Sequence, residues 1–164
     1  MSVRQECHTR WARMNVGPFG RARFASTKER PLSSELTSSR PADTADDIRL
    51  FAIAAARAAD EKKGNEILVL DVGDTIGITD VFVIMSAPNT RLVSFLAEEV
   101  ERAVKEAGGN GPVASEGLDE SNWVLLDFGG FIVHVFLEET RRFYDLERLW
   151  SDAPKIEWAK SSAE

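Results

Sequence analysis

Two groups of side chains in this 164-residue chain could do chemistry, and each depends on the backbone that would carry it. The first is acidic. Asp71, Asp74, Asp80 and Asp127 stand at or near the ends of hydrophobic runs, where catalytic acids often sit. Two-metal transfer chemistry needs its acids to converge within a few ångströms. A D-x-D pair on a strand would do this, because residues i and i+2 share a face. Here the spacing is Asp71-Val72-Gly73-Asp74, which sends the two acids to opposite faces of a continuing strand. A strand-ending acid and a turn-capping acid account for them better. The second group is Asp127 with His134, which could support acid–base catalysis. No serine or cysteine nucleophile in an activating motif accompanies it: Ser115 and Ser121 fall in loops, and Cys7 and His8 lie near the N-terminus. A structural or interface Asp–His pair is the better expectation. A phosphate site fares no better. Gly108-Gly109-Asn110-Gly111 follows a helix, so it offers an anion no helix N-terminus, and there is no G-x-x-x-x-G-K-[ST].

The elements that carry Asp127 and His134 are legible in residues 122–150, NWVLLDFGGFIVHVFLEETRRFYDLERLW. Gly129-Gly130 between two alternating runs predicts a β-hairpin with a two-residue turn. With Phe128 and Phe131 flanking the turn, Asp127 lies opposite Ile132, Leu125 opposite His134 and Trp123 opposite Phe136. One face is then Val124, Leu126, Phe128, Phe131, Val133 and Val135, which is core. The other carries Trp123, Leu125, Asp127, Ile132, His134 and Phe136. On it Asp127 and His134 are diagonal neighbours, ~7–8 Å apart at Cα and within side-chain reach. A carboxylate there would favour the protonated imidazole. Downstream, Phe143, Leu146 and Trp150 fit one helical stripe, of which at least two should be buried. Tyr144 and Glu147 fall to one side of it.

Before the hairpin, a helix starts at Asp46, with Ile48, Phe51, Ala55, Ala58 and Ala59 at helical spacing and Gly64 as a stop. Glu66–Val72 and Asp80–Ser86 read as strands rich in β-branched residues, joined by a GDTIGIT loop. Pro88 and Asn89 open a long helix from about Thr90 to Ala107. Its apolar stripe is Val93, Leu96, Val100 and Val104, and its solvent face carries Glu98, Glu101 and Lys105. Residues 113–121 are a strand or loop. The order predicts α/β architecture with α+β layering: a small mixed β-sheet with helices mainly on one face. The second face is left open or partly covered by the C-terminal segment.

Composition narrows the function. Residues 1–42 hold eight Lys/Arg and three Glu, a net of +5; residues 43–164 hold twelve Lys/Arg and twenty-four Asp/Glu, a net of −12. An acidic folded part argues against direct nucleic-acid recognition, which needs clustered basic side chains. It suits a basic protein partner. No apolar run approaches the ~18 residues that would span a bilayer, so no membrane role is expected. A single cysteine excludes an internal disulfide framework and a cysteine zinc cluster. The Arg- and Ser-rich stretch 1–42 is expected to be disordered. It is either an organelle transit peptide or a non-native extension from an upstream start, with Met14 as an internal alternative. The folded domain is placed at 43–158, with 159–164 as a tail.

Residues 46–158 also resemble a known family, the ribosomal silencing factors, also called Iojap-like. The resemblance is carried by LDV at 70–72, D-x-FVI at 80–84, SAPNTR at 86–91, EG at 116–117, WVLLDFG at 123–129, VHVF at 133–136 and FYxLERLW at 143–150. It implies a nucleotidyltransferase-like fold without the catalytic acids, no enzymatic activity and no cofactor. It further implies binding to the large ribosomal subunit through that subunit's protein fourteen, so as to block joining of the small subunit and lower translation when nutrients are scarce. The implied location is the cytoplasm, or an organelle if the basic extension is a transit peptide. Val81, Phe128 and Gly130 depart from the family's usual Tyr, Tyr and acid. Combining the resemblance with the hairpin register assigns partner contact to Trp123, Leu125, Asp127, Phe128, His134, Tyr144 and Glu147. Two alternatives stay open: a nucleotide-using enzyme, which would need converging acids and a basic phosphate site, and a homodimer formed through an apolar-rich sheet face.

Overall fold

The structure, a computed structural model, describes residues 43–159. The expectations for Cys7, His8, Met14 and the rest of 1–42 lie outside the described residues.

Helix α1 (Ala45–Glu61) begins one residue before the expected start, because Thr44 and Asp47 form a reciprocal capping box. Asp47 N–H donates to the Thr44 hydroxyl at 3.3 Å, and Thr44 N–H to the Asp47 carboxylate at 3.1 Å. Strand β1 (Asn65–Asp71) follows, then a single helical turn α2 (Gly73–Ile76) within the expected loop, then β2 (Val81–Ala87). Helix α3 (Thr90–Glu106) is capped by Asn89, whose side chain accepts from Leu92 N–H at 2.9 Å. Its expected stripe is buried throughout, and Lys105 pairs with Glu101 at 2.6 Å. Gly108, at φ +97°, ends it. Then come β3 (Ala114–Glu116), β4 (Trp123–Asp127), β5 (Phe131–Leu137) and two short helices, α4 (Glu138–Tyr144) and α5 (Leu146–Leu149).

The five strands form one sheet in the order β1-β2-β5-β4-β3. Only β2 and β5 are parallel; the other pairs are antiparallel. Strand β2 is buried along its whole length, which explains why it reads as a continuous apolar run with no alternation. The β4–β5 hairpin has the expected register: Trp123 opposite Phe136, Leu125 opposite His134, Asp127 opposite Ile132. Phe128 N–H donates to the Phe131 carbonyl at 3.0 Å to close the turn, and Gly129 takes the left-handed φ of +86°.

Helices α1 and α3 pack on each other and on one sheet face. There Val124, Leu126, Phe131, Val133 and Val135 join the helices' buried residues in the main core. A second buried layer, made of Leu70, Phe82, Ile84, Leu125, Ile132 and Phe136, occupies the opposite face. The C-terminal segment covers it: Trp150 meets Phe82 edge-on at 5.7 Å, and Tyr144 lies 4.8 Å from Trp123. The chain then runs back along the free edge of β1. Asp71 N–H donates to Pro154 O and Ile156 N–H to Val69 O, each at 2.8 Å, so that edge is not left open for pairing.

Candidate docking surface

The seven residues singled out from the sequence are not one contiguous patch. Trp123, His134 and Tyr144 are brought together. The Trp123 ring lies 4.6 Å from Phe136, 4.8 Å from Tyr144 and 5.8 Å from His134, and its indole N–H donates to His134 Nδ1 at 3.1 Å. Trp123 and Tyr144 are half-buried, whereas Leu125 and His134 are buried, His134 to 1%. Asp127 lies on the same face four residues from Trp123, about 13 Å along the strand. Phe128 is on the opposite face, stacked on Phe131 at 4.6 Å and packed against the main core. Glu147 is half-buried and committed to Arg141, accepting from its Nε at 2.6 Å.

The expected Asp127–His134 pair does not form. Both Trp123 and Asp127 are diagonal to His134, and His134 bonds to Trp123. The Asp127 carboxylate instead accepts from Gly129 N–H at 2.8 Å, a local turn bond that competes with any cross-strand partner. The consequence for charge is a reversal. An indole can only donate, so Nδ1 must be bare. Burial without a nearby carboxylate lowers the His134 pKa from 6.5 to about 3. The imidazole is neutral, and its Nε2 has no hydrogen-bond partner among the described residues.

The helical stripe through Phe143, Leu146 and Trp150 is corrected as well. Asp145 adopts a left-handed conformation, φ 44°, ψ 55°, ending α4 and starting α5 on a new axis. Leu146 is buried and Trp150 half-buried, but Phe143 points outward with 76% exposure, its ring 5.1 Å from Tyr144. Phe143, Tyr144 and Trp123 thus make a graded aromatic run from open solvent into the sheet.

That run is held in place by Arg141, a buried guanidinium whose role spacing alone does not signal. Besides Glu147, it donates from Nη1 to Ser86 Oγ at 3.2 Å and to Asn65 O at 3.4 Å. The Asn65 carbonyl is available because β1 is irregular between Asn65 and Leu68, with Glu66 at φ +48°. Arg141 therefore ties α4 and α5 to the ends of β1 and β2.

The acids that suggested metal chemistry are engaged elsewhere or dispersed. Asp71 pairs with Arg49 at 2.8 Å, and Asp127 is held by its own turn. Among the described residues no group of three or more His, Cys, Asp or Glu side chains is placed to hold a metal.

An α/β domain whose organised surface feature is an aromatic run braced by a buried arginine has the make-up of a binding module. Residues 44–164 match the family model described as ribosomal silencing factor during starvation, and the chain belongs to that family. A ribosomal silencing factor of Bacillus subtilis is 39% identical over 100 residues, covering 61% of this chain and 84% of that one. A mouse protein named mitochondrial assembly of ribosomal large subunit protein 1 is 32% identical over 93 residues, or 56% of this chain and 41% of the relative. The fold is similar to a crystal structure of a Chromobacterium violaceum protein at a TM-score of 0.61 and 33% identity, over 71% of this chain and 96% of the other.

Proposed function

We propose that this protein is a non-catalytic translational repressor. It binds the large ribosomal subunit through that subunit's protein fourteen and sterically blocks joining of the two subunits, damping translation under nutrient limitation. The observation that carries this reading is the Trp123–Tyr144–Phe143 run. It is a partly exposed aromatic surface of the kind that anchors protein interfaces, in a chain of the silencing-factor family. A net charge of −12 over residues 43–164 favours approach to a basic ribosomal surface. A steric blocker needs affinity and bulk and no reacting groups, which agrees with Asp71 paired to Arg49 and Asp127 held by its own turn. The proposed location is the cytoplasm; an organelle is the alternative, and the mouse relative is itself named mitochondrial.

Trp123, Tyr144 and Asp127 are the proposed contacts, with Phe143 added to them. Phe128 and Glu147 would contribute at the margins, while Leu125 and His134 act from beneath the surface. Co-sedimentation with separated subunits should show binding to large subunits, and added protein should inhibit subunit joining. Asp127→Lys should weaken that binding about ten- to a hundredfold. Asp127→Asn keeps the acceptor for Gly129 N–H and so separates charge from turn geometry. Undiminished binding by the lysine variant would remove Asp127 from the surface.

A further inference from the structure

We propose that His134 is a positioning residue for this docking surface: it fixes the Trp123 indole in one orientation, so that a partner meets an apolar plate already set in place. The inference rests on the docking function above, since it says how one residue of that surface is made ready.

The side chains around His134 make its presence informative. It is buried beside Phe82, 5.1 Å away and edge-on, and Phe136, 6.0 Å away, with Leu125 opposite it on β4. An apolar residue would fill that space without burying a polar ring. What the imidazole adds is an acceptor, and the structure uses it for the Trp123 N–H at 3.1 Å. That bond, with the Phe136 and Tyr144 rings at 4.6 and 4.8 Å, restrains a half-buried indole on three sides. A side chain ordered in the free protein is not ordered at the moment of association, which favours binding. The N–H is also spent within the protein, so Trp123 offers a partner its ring and no hydrogen bond.

The test has two arms, both on the full-length chain. In the free protein, ¹⁵N-labelled tryptophan gives an indole N–H signal for Trp123, assigned by its loss in Trp123→Phe. The N–H should be protected from solvent exchange, exposed in His134→Leu and protected again in His134→Asn, whose amide oxygen restores an acceptor near the Nδ1 position. If His134→Leu does not fold, His134→Phe replaces it as a ring without an acceptor. In the second arm, affinity for large subunits should fall about three- to tenfold in His134→Leu and largely recover in His134→Asn. In a Trp123→Phe background, which has no N–H to hold, His134→Leu should have no further effect. An unchanged indole signal in His134→Leu overturns the inference, as does a His134 effect that persists without the Trp123 N–H. A failure of the docking function looks different: Trp123→Ala would then bind large subunits as tightly as the parent, whatever the indole signal reports.

Discussion

Acidifying the protein from pH 7.5 to 5.0 should cost it about 2 kcal/mol of stability through His134 alone. The sign follows from where the proton goes. Folded His134 is buried, its Nδ1 accepts from an indole that can only donate, and its pKa lies at about 3. In the unfolded chain the imidazole titrates near 6.5. Between those values the unfolded state binds one more proton, so stability rises with pH there, by about 1.4 kcal/mol per unit. The contribution is fully present above pH 6.5 and is lost as pH falls toward 3. At pH 5.0, about 1.5 units below the unfolded value, the loss is about 2 kcal/mol. Carboxylates titrate in the lower part of this range too, so the variant comparison isolates the histidine. His134→Asn keeps an acceptor for Trp123 and has nothing to protonate. Urea midpoints followed by far-UV circular dichroism at fixed ionic strength should show the parent losing about 2 kcal/mol more than His134→Asn between the two pH values. An ion pair with Asp127 would have raised the pKa and given the opposite slope, with the histidine stabilising the fold as pH drops toward 6.5. Parallel pH profiles, or that reversed slope, would refute a neutral buried imidazole.

Three further outcomes are expected. Arg141→Met should destabilise the fold by about 2–3 kcal/mol in urea titrations, below the usual cost of breaking a buried pair because Glu147 retains some contact with water; Arg141→Met with Glu147→Gln should recover part of it. Asn89→Ala removes the α3 cap and should lower stability by about 1 kcal/mol in the same titrations, with subunit binding unaltered. Phe143→Ser, at a site 76% exposed, should leave the unfolding free energy within about 0.5 kcal/mol of the parent while reducing co-sedimentation with large subunits.

The hairpin is legible in the sequence because two independent signals agree there. A Gly-Gly loop fixes the number of turn residues, and only one of the two resulting faces is free of polar side-chain atoms, so a one-residue slip of β4 would have turned Asp127 toward the helices. Helix α3 was readable for a similar reason, with Asn89 at its start and four apolar residues at helical spacing. The second sheet face was harder. Backbone geometry makes Trp123 and Asp127 equivalent diagonals of His134, and only side-chain chemistry separates them. A buried indole N–H has few acceptors to choose from, whereas an aspartate entering a Gly-Gly turn has a backbone N–H two residues ahead. The break at Asp145 had less to announce it, since no glycine or proline stands there. Aspartate tolerates the left-handed region, and the conformation is fixed by packing: Arg141 reaches back to Glu147 across the break and outward to the ends of β1 and β2. Phe143 stands two residues from the buried Arg141, about 200° around α4, and so faces outward; had the helix continued, Leu146, on the same stripe as Phe143, would have been carried off the sheet with it. Exposure of Phe143 is therefore a consequence of a long-range polar anchor, and periodicity within a ten-residue window contains no term for it.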